Sequence, residues 1–314
     1  MKKATDIKTV AVLGCGFIGF SWAIVFSRNG IDVNLYNRPG KSYDMALEKI
    51  RNGLEFLAAE GMITEDVVEK AMRRVHLFDS MEEALVGADY VQECLPEDLE
   101  LKQEMYRKIS ALTESDVAIG SSCSGLRISD IAAKVEHHPE RCIVAHPTNP
   151  PHLIPFMEIS GDNASPEAKE SIYQFMEIMG QKPILCKEVY AYVLNRLQLA
   201  LIQEALYLVK ENICTVEGVE RAITDGLGLR WAFTGPYGVE ELNSASLQEG
   251  LEKYKEYMLL GFSQLGQINE YDDAFVEKAV EGFAPVLNGK SHKEYLYWRD
   301  RMVTNTRILK AKNQ

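Results

Sequence analysis

Over the first 190 positions the apolar residues fall in short runs separated by stretches of helical spacing. Residues 9–13 form one such run, ending at a glycine. The helical stretch that follows stops at Gly30, and residues 31–36 read as a second strand. Strand, helix and strand within about 30 residues is the length of one βαβ unit. Two further helical patterns, 42–59 and 65–74, are parted by Glu60-Gly61 and charged on one face, and they read as a helical hairpin set into the wound sheet. Strands are predicted at 75–78, 90–93, 117–120, 142–146, 156–159 and 183–185, mostly with helices between them. Such alternation predicts an α/β fold with a doubly wound, mostly parallel sheet covered on both faces. Past about Val189 the strand signal ends, and the remainder reads as helices punctuated at Gly226, Gly235-Pro236 and Pro285. Two domains are therefore expected, 1–189 wound and 190–314 all-helical.

The 314 residues are 46% hydrophobic and 25% charged, enough for two cores. Net charge is -12 with a pI near 5.1, and no Lys/Arg cluster stands out. Nucleic acid and anionic membrane surfaces are accordingly set aside as partners. The six cysteines, at 15, 94, 123, 142, 186 and 214, are scattered without a C-x-x-C pair. They read as reduced thiols of a cytoplasmic protein rather than disulfides or a metal site. Residues 1–9 lack the apolar core of a signal peptide. The longest apolar helix, roughly 189–209, is interrupted by Asn195, Arg196, Gln198, Gln203 and Glu204, so no membrane span is expected. Its stripe of Leu197, Leu201, Ala205 and Leu208 reads first as core packing, with an interface as the alternative.

Gly14-Cys15-Gly16-Phe17-Ile18-Gly19 follows the first strand and opens the first helix. A G-x-G-x-x-G turn in that place lets backbone N–H groups approach a pyrophosphate at the positive end of the helix, which makes 1–189 a Rossmann-type dinucleotide-binding domain. The second strand ends in Tyr36-Asn37-Arg38-Pro39-Gly40-Lys41-Ser42, without the carboxylate that usually holds the adenosine ribose. Asn37 can bond a hydroxyl, while Arg38, Lys41 and Ser42 can hold a phosphate. Both NAD and NADP are open on this reading. The alternative is that Arg38 stacks on adenine and the cations are only solvated.

Between positions 120 and 159 the chain reads Gly-Ser-Ser-Cys-Ser-Gly-Leu, then Ala145-His146-Pro147-Thr148-Asn149-Pro150-Pro151, then Phe156-Met157-Glu158-Ile159. A histidine at a strand end and a glutamate on the next strand can pair, and a paired histidine suits proton transfer near neutral pH. With these motifs, Gln92 to Glu97, Val193-Leu194-Asn195-Arg196-Leu197, Gly226 to Phe233 and Tyr297-Trp298-Arg299-Asp300, the chain resembles the 3-hydroxyacyl-CoA dehydrogenase family, most closely its lambda-crystallin and L-gulonate 3-dehydrogenase branch. The resemblance implies that Ser124 and Asn195 hydrogen-bond the reacting oxygen, that His146 is the base, and that Glu158 orients it. It also implies cofactor contacts from Phe17, Ile18, Glu97 and Lys102, and a homodimer formed by the helical domain. Asn37 stands where the family has an acidic residue, which bears on the NAD preference.

Where the acyl-CoA enzymes carry a small Gly- and Pro-rich turn, this chain has Leu229-Arg230-Trp231-Ala232-Phe233. Bulky aromatics narrow a pocket, and Arg230 can bond a free carboxylate in bidentate fashion. A small hydroxy acid such as L-gulonate is therefore the expected substrate, with Arg230 pairing to Glu240 or Glu241 as the alternative use of that residue. An L-3-hydroxyacyl-CoA or L-carnitine dehydrogenase remains open, the latter with Trp231, Phe233 and Tyr237 around a quaternary ammonium. Outside enzymology, a crystallin-like structural protein and a nucleotide-binding sensor are the other readings.

Overall fold

The apolar runs become the strands of one sheet: β1 (Thr9–Leu13), β2 (Asp32–Tyr36), β3 (Val75–Phe78), β4 (Tyr90–Glu93), β5 (Ala118–Ser121), β6 (Cys142–Pro147), β7 (Phe156–Ser160) and β8 (Lys182–Cys186). In this computed structural model, which describes residues 1–38, 40 and 43–313, the spatial order is β3-β2-β1-β4-β5-β6-β7-β8. Neighbours run parallel except β6 and β7, which are antiparallel. Val10 to Leu13 are fully buried, and β6 is buried at every position, as strands covered on both faces should be.

The helices of this part are α1 (Phe17–Arg28), α2 (Asp44–Ala59), α3 (Glu65–Met72), α4 (Met81–Leu85), α5 (Leu99–Leu112), α6 (Ile128–Ile131), α7 (Pro166–Ile178) and α8 (Tyr192–Lys210). The expected hairpin is α2 and α3, between the parallel strands β2 and β3. Leu85, Tyr106, Ile109 and Ile131 form one core with Leu13, Val91, Ile119 and Val144 of the strands. Elsewhere Trp22 and Phe26 of α1 stack at 5.2 Å, and Phe26 lies 5.8 Å from Phe175 of α7. Sandwiched in this way, α1 is buried continuously from Gly19 to Ser27, which is why it shows little amphipathic pattern.

The chain divides into two compact units, Met1–Arg196 and Leu197–Gln314. After α8 come α9 (Val216–Arg221), a π-helical turn (Ala222–Leu227), α10 (Gly228–Trp231), α11 (Pro236–Leu242), α12 (Leu247–Lys253), α13 (Lys255–Gln264), α14 (Asp273–Leu287) and α15 (His292–Lys312). Local chemistry sets these boundaries. Ser291 and Glu294 form a reciprocal capping box that starts α15. On α8, Gln203 donates to the Gly266 carbonyl (3.1 Å) and Glu204 accepts from its N–H (2.7 Å), fixing the segment after α13. Of the stripe Leu197, Leu201, Ala205 and Leu208, Leu197 is 60% exposed and the other three are half-buried. Among the described residues no helix is long and apolar enough to cross a membrane.

Candidate active site

Strand β1 is flanked by β2 on one side and β4 on the other, so the winding reverses there and a crevice opens beyond the strand ends. A cavity of about 540 Å³ fills it. Its walls are Gly14, Cys15, Gly16, Phe17 and Ile18 from the β1–α1 turn, and Tyr36, Asn37 and Arg38 from the end of β2. Cys94, Leu95 and Pro96 beyond β4, and Leu101 and Met105 of α5, complete it.

The glycines of the turn have separate physical reasons. Gly14 has φ +117°, and a Cβ there would sit 2.7 Å from the Cys94 carbonyl oxygen; one on Gly19 would sit 1.8 Å from the Gly14 carbonyl oxygen. Both hold the turn against its surroundings. A Cβ on Gly16 would meet nothing within 4 Å, so the protein itself does not require glycine there. Gly16 also caps α1 without any side-chain acceptor for the first-turn N–H groups. Open space over uncapped donors at a helix N-terminus fits a pyrophosphate. Gly16→Ala is therefore expected to raise the cofactor Kd about 10-fold or more, roughly 1.4 kcal/mol, with an unchanged melting temperature. Titration of intrinsic fluorescence with NADH and a thermal melt measure the two effects.

Around the rim, Asn37 accepts the Arg38 backbone N–H on its side-chain oxygen (3.0 Å), and Arg38 is exposed. Lys41, expected to hold a phosphate with Ser42, lies with it outside the described residues.

Two other residues expected at the cofactor are engaged elsewhere. Lys102 is 1% exposed and does not line the cavity. Its ammonium donates to Glu93 Oε1 (2.6 Å) and to the Leu95 carbonyl (3.3 Å), while Ser121 donates to Glu93 Oε2 (2.6 Å). This buried pair fixes the chain leaving β4. Glu97 turns its Oε1 to the backbone N–H groups of Gly125 (2.5 Å) and Leu126 (3.3 Å), gripping the turn that carries Ser124.

Antiparallel register pairs His146 with Glu158 across β6 and β7, which puts both side chains on one face of the sheet. His146 Nδ1 lies 2.7 Å from Glu158 Oε2. The other oxygen of Glu158 accepts the backbone N–H groups of Val193 (2.7 Å) and Leu194 (2.8 Å) at the start of α8. Burial by itself pushes the Glu158 carboxyl up, but the bonds from His146 and the two amides outweigh it and hold the group below its ordinary value. A permanent carboxylate thus faces Nδ1, which keeps the proton there and leaves Nε2 as the acceptor.

Asn195 follows Leu194 on the first turn of α8 and is half-buried. Ser124 is half-buried on the turn after β5, the strand next to β6. The fold thus joins His146, Glu158 and the helix start that carries Asn195 through hydrogen bonds, and ties the Ser124 turn down through Leu126. Arg230 lies in the helical unit, exposed on α10 directly after the π-helical turn.

The sequence reading missed the Val193 and Leu194 amides, the hold of Tyr192 on Leu126 (2.7 Å), and the cavity walls contributed by Cys94, Leu95, Pro96, Leu101 and Met105. Strand order was the available signal for the walls, because residues beyond the strand next to β1 must border the crevice.

Comparison with known proteins agrees with this geometry. Residues 9–189 match the family model described as 3-hydroxyacyl-CoA dehydrogenase, NAD binding domain, and residues 192–256 match its C-terminal domain. A lambda-crystallin homolog of Mus musculus is 34% identical over 312 residues, 97% of either chain. An L-carnitine dehydrogenase of Pseudomonas aeruginosa is 34% identical over 305 residues, 96% of this chain and 93% of that one. Among solved structures, FHMPC 5-dehydrogenase, described as an NAD+-dependent dismutase, superposes with a TM-score of 0.82 at 25% identity, covering 96% of this chain and 98% of that one. With two family models meeting end to end over the wound domain and the first part of the helical one, the chain belongs to the 3-hydroxyacyl-CoA dehydrogenase family and is an NAD(P)-dependent dehydrogenase acting on CH–OH groups.

Proposed function

We propose that the protein oxidises the 3-hydroxyl of a small free hydroxy acid, L-gulonate-like, and that the 2.7 Å His146–Glu158 pair is its acid/base centre. The glycine turn would hold the pyrophosphate of the dinucleotide, whose nicotinamide ring would supply the hydride acceptor. His146 takes the hydroxyl proton on Nε2, and Glu158 stabilises the resulting imidazolium through Nδ1. Ser124 and Asn195 donate to the oxygen as it gains negative character, a stabilisation of about 3 kcal/mol per donor in comparable sites.

Several observations support a free acid. Arg230 is exposed, and Glu241, one of its two expected partners, caps the backbone N–H of Leu247 instead. Bulky Leu229, Trp231 and Phe233 surround it in sequence. L-carnitine, named for one relative, is itself a free 3-hydroxy acid. Asn37 in place of a carboxylate, with Arg38 at the rim, supports use of NADP alongside NAD. The absence of any pairing among the six thiols suits a cytoplasmic enzyme. Exposed Leu242, Tyr257, Leu260, Phe262 and Val280 suit a homodimer through the helical unit.

Initial-rate reduction of NAD and NADP with L-gulonate, L-3-hydroxybutyrate, L-carnitine and 3-hydroxybutyryl-CoA tests the reading. For the best free acid, Arg230→Met is expected to raise KM about 10- to 100-fold, the scale of a charge-assisted bond, with a smaller change in kcat. Preference for the CoA ester sinks the free-acid assignment. Tight cofactor binding without turnover of any substrate points to the sensor reading, and absence of both to the crystallin-like one.

A further inference from the structure

Tyr192 touches two parts of this site, the His146 ring and the turn that carries Ser124. Its ring is fully buried in the core that contains Tyr106, Ile119 and Val144. The ring centroid lies 5.7 Å from that of His146, with the planes tilted by 34°. Its hydroxyl donates to the carbonyl of Leu126 at 2.7 Å. Leu126 closes the turn that carries Ser124, and Glu97 holds the same residue from its amide side. Immediately after Tyr192, the Val193 and Leu194 amides bind the carboxylate that orients His146.

The backbone there is unusual. Ala191 has φ +64° and Tyr192 φ +47°, consecutive left-handed residues without a glycine, a conformation that L side chains adopt only when their surroundings hold them. The buried ring and its hydroxyl bond provide that hold. The segment entering α8 is thus fixed by the same side chain that reaches the Ser124 turn and packs on the base.

We propose that Tyr192 is a positioning residue for the dehydrogenase reaction, its hydroxyl fixing the Ser124 turn while its ring fixes the His146 imidazole. The proposal rests on the reading of Ser124 and His146 as reacting groups. A phenylalanine would keep the ring contact and the core but remove the shorter of two bonds to the Leu126 carbonyl, leaving the Cys123 thiol there and Glu97 on the amide. Loss of one neutral hydrogen bond is then felt as misplacement of the oxygen donor rather than as loss of binding.

The test is Tyr192→Phe in the full chain, with kinetics and amide hydrogen exchange measured together. We expect kcat to fall about 10-fold, the scale of one neutral hydrogen bond, with the KM of the hydroxy acid and the NADH Kd within about twofold. Tyr192 does not line the cofactor cavity. In the cofactor-free protein, exchange over residues 122–127 should accelerate while β1 and β4 keep their protection. A kcat within twofold of wild type, unchanged exchange over 122–127, or acceleration spread over the whole sheet would each overturn the proposal. If His146→Ala retains turnover, or wild type turns over none of the four substrates, the reading of the reacting groups fails. The exchange measurement still decides whether Tyr192 holds the turn.

Discussion

Replacing His146 with alanine is expected to lower kcat by about 10²- to 10⁴-fold, the usual contribution of a positioned general base. The oxidation requires the hydroxyl proton to leave as hydride is transferred, and the imidazole paired with Glu158 is the group placed to take it. Cofactor affinity should be unchanged, because His146 lies outside the residues that line the dinucleotide cavity. The substitution also strands one oxygen of a buried carboxylate that now receives 2.7 Å from Nδ1. A stability loss of about 1–3 kcal/mol is the corresponding cost. Single-turnover reduction of saturating cofactor, with a thermal melt beside it, separates the two effects. A folded variant that keeps kcat within tenfold of wild type would remove His146 from the reaction.

Much of this site was legible in the sequence because its parts sit where buried strands end. The run at β1 is an apolar segment with the glycine turn directly after it, so the turn side of the cofactor crevice follows from local pattern. His146 and Glu158 were legible as individuals, on adjacent strand segments. Their register was not, since an apolar run pairs equally well in either direction, and only the antiparallel pairing of β6 and β7 sets the two residues opposite each other.

Long-range polar partners were the least legible. Glu97 meets Gly125 and Leu126 across 28 and 29 positions, and nothing in the local pattern encodes such a contact. Lys102 has the composition of a phosphate or ribose ligand, yet its burial against Glu93 comes from tertiary packing. The start of α8 was placed about three residues early for a related reason. The left-handed pair at Ala191 and Tyr192 carries neither a glycine nor a capping side chain to mark it.

The second large effect is expected from Glu158→Gln, which changes one atom and should lower kcat by about 10²- to 10⁴-fold. The amide oxygen can still accept the Val193 and Leu194 N–H groups, so α8 and Asn195 stay in place. The amide NH2 then faces Nδ1 and donates to it, which moves the ring proton to Nε2 and removes the lone pair that would accept the substrate proton. It also withdraws the negative charge that stabilises the imidazolium. Stability adds a second signature with a definite sign. Because the folded carboxyl lies below its ordinary value, its stabilisation is fully present above the unfolded value of about pH 4.3 and is lost as the pH falls through the folded one. The gap in melting temperature between wild type and Glu158→Gln should therefore close as the pH falls below about 4.3. A gap that stays open well below that pH would mean that no carboxylate charge faces Nδ1 in the folded protein, and the assignment of Nε2 as the base would fall with it.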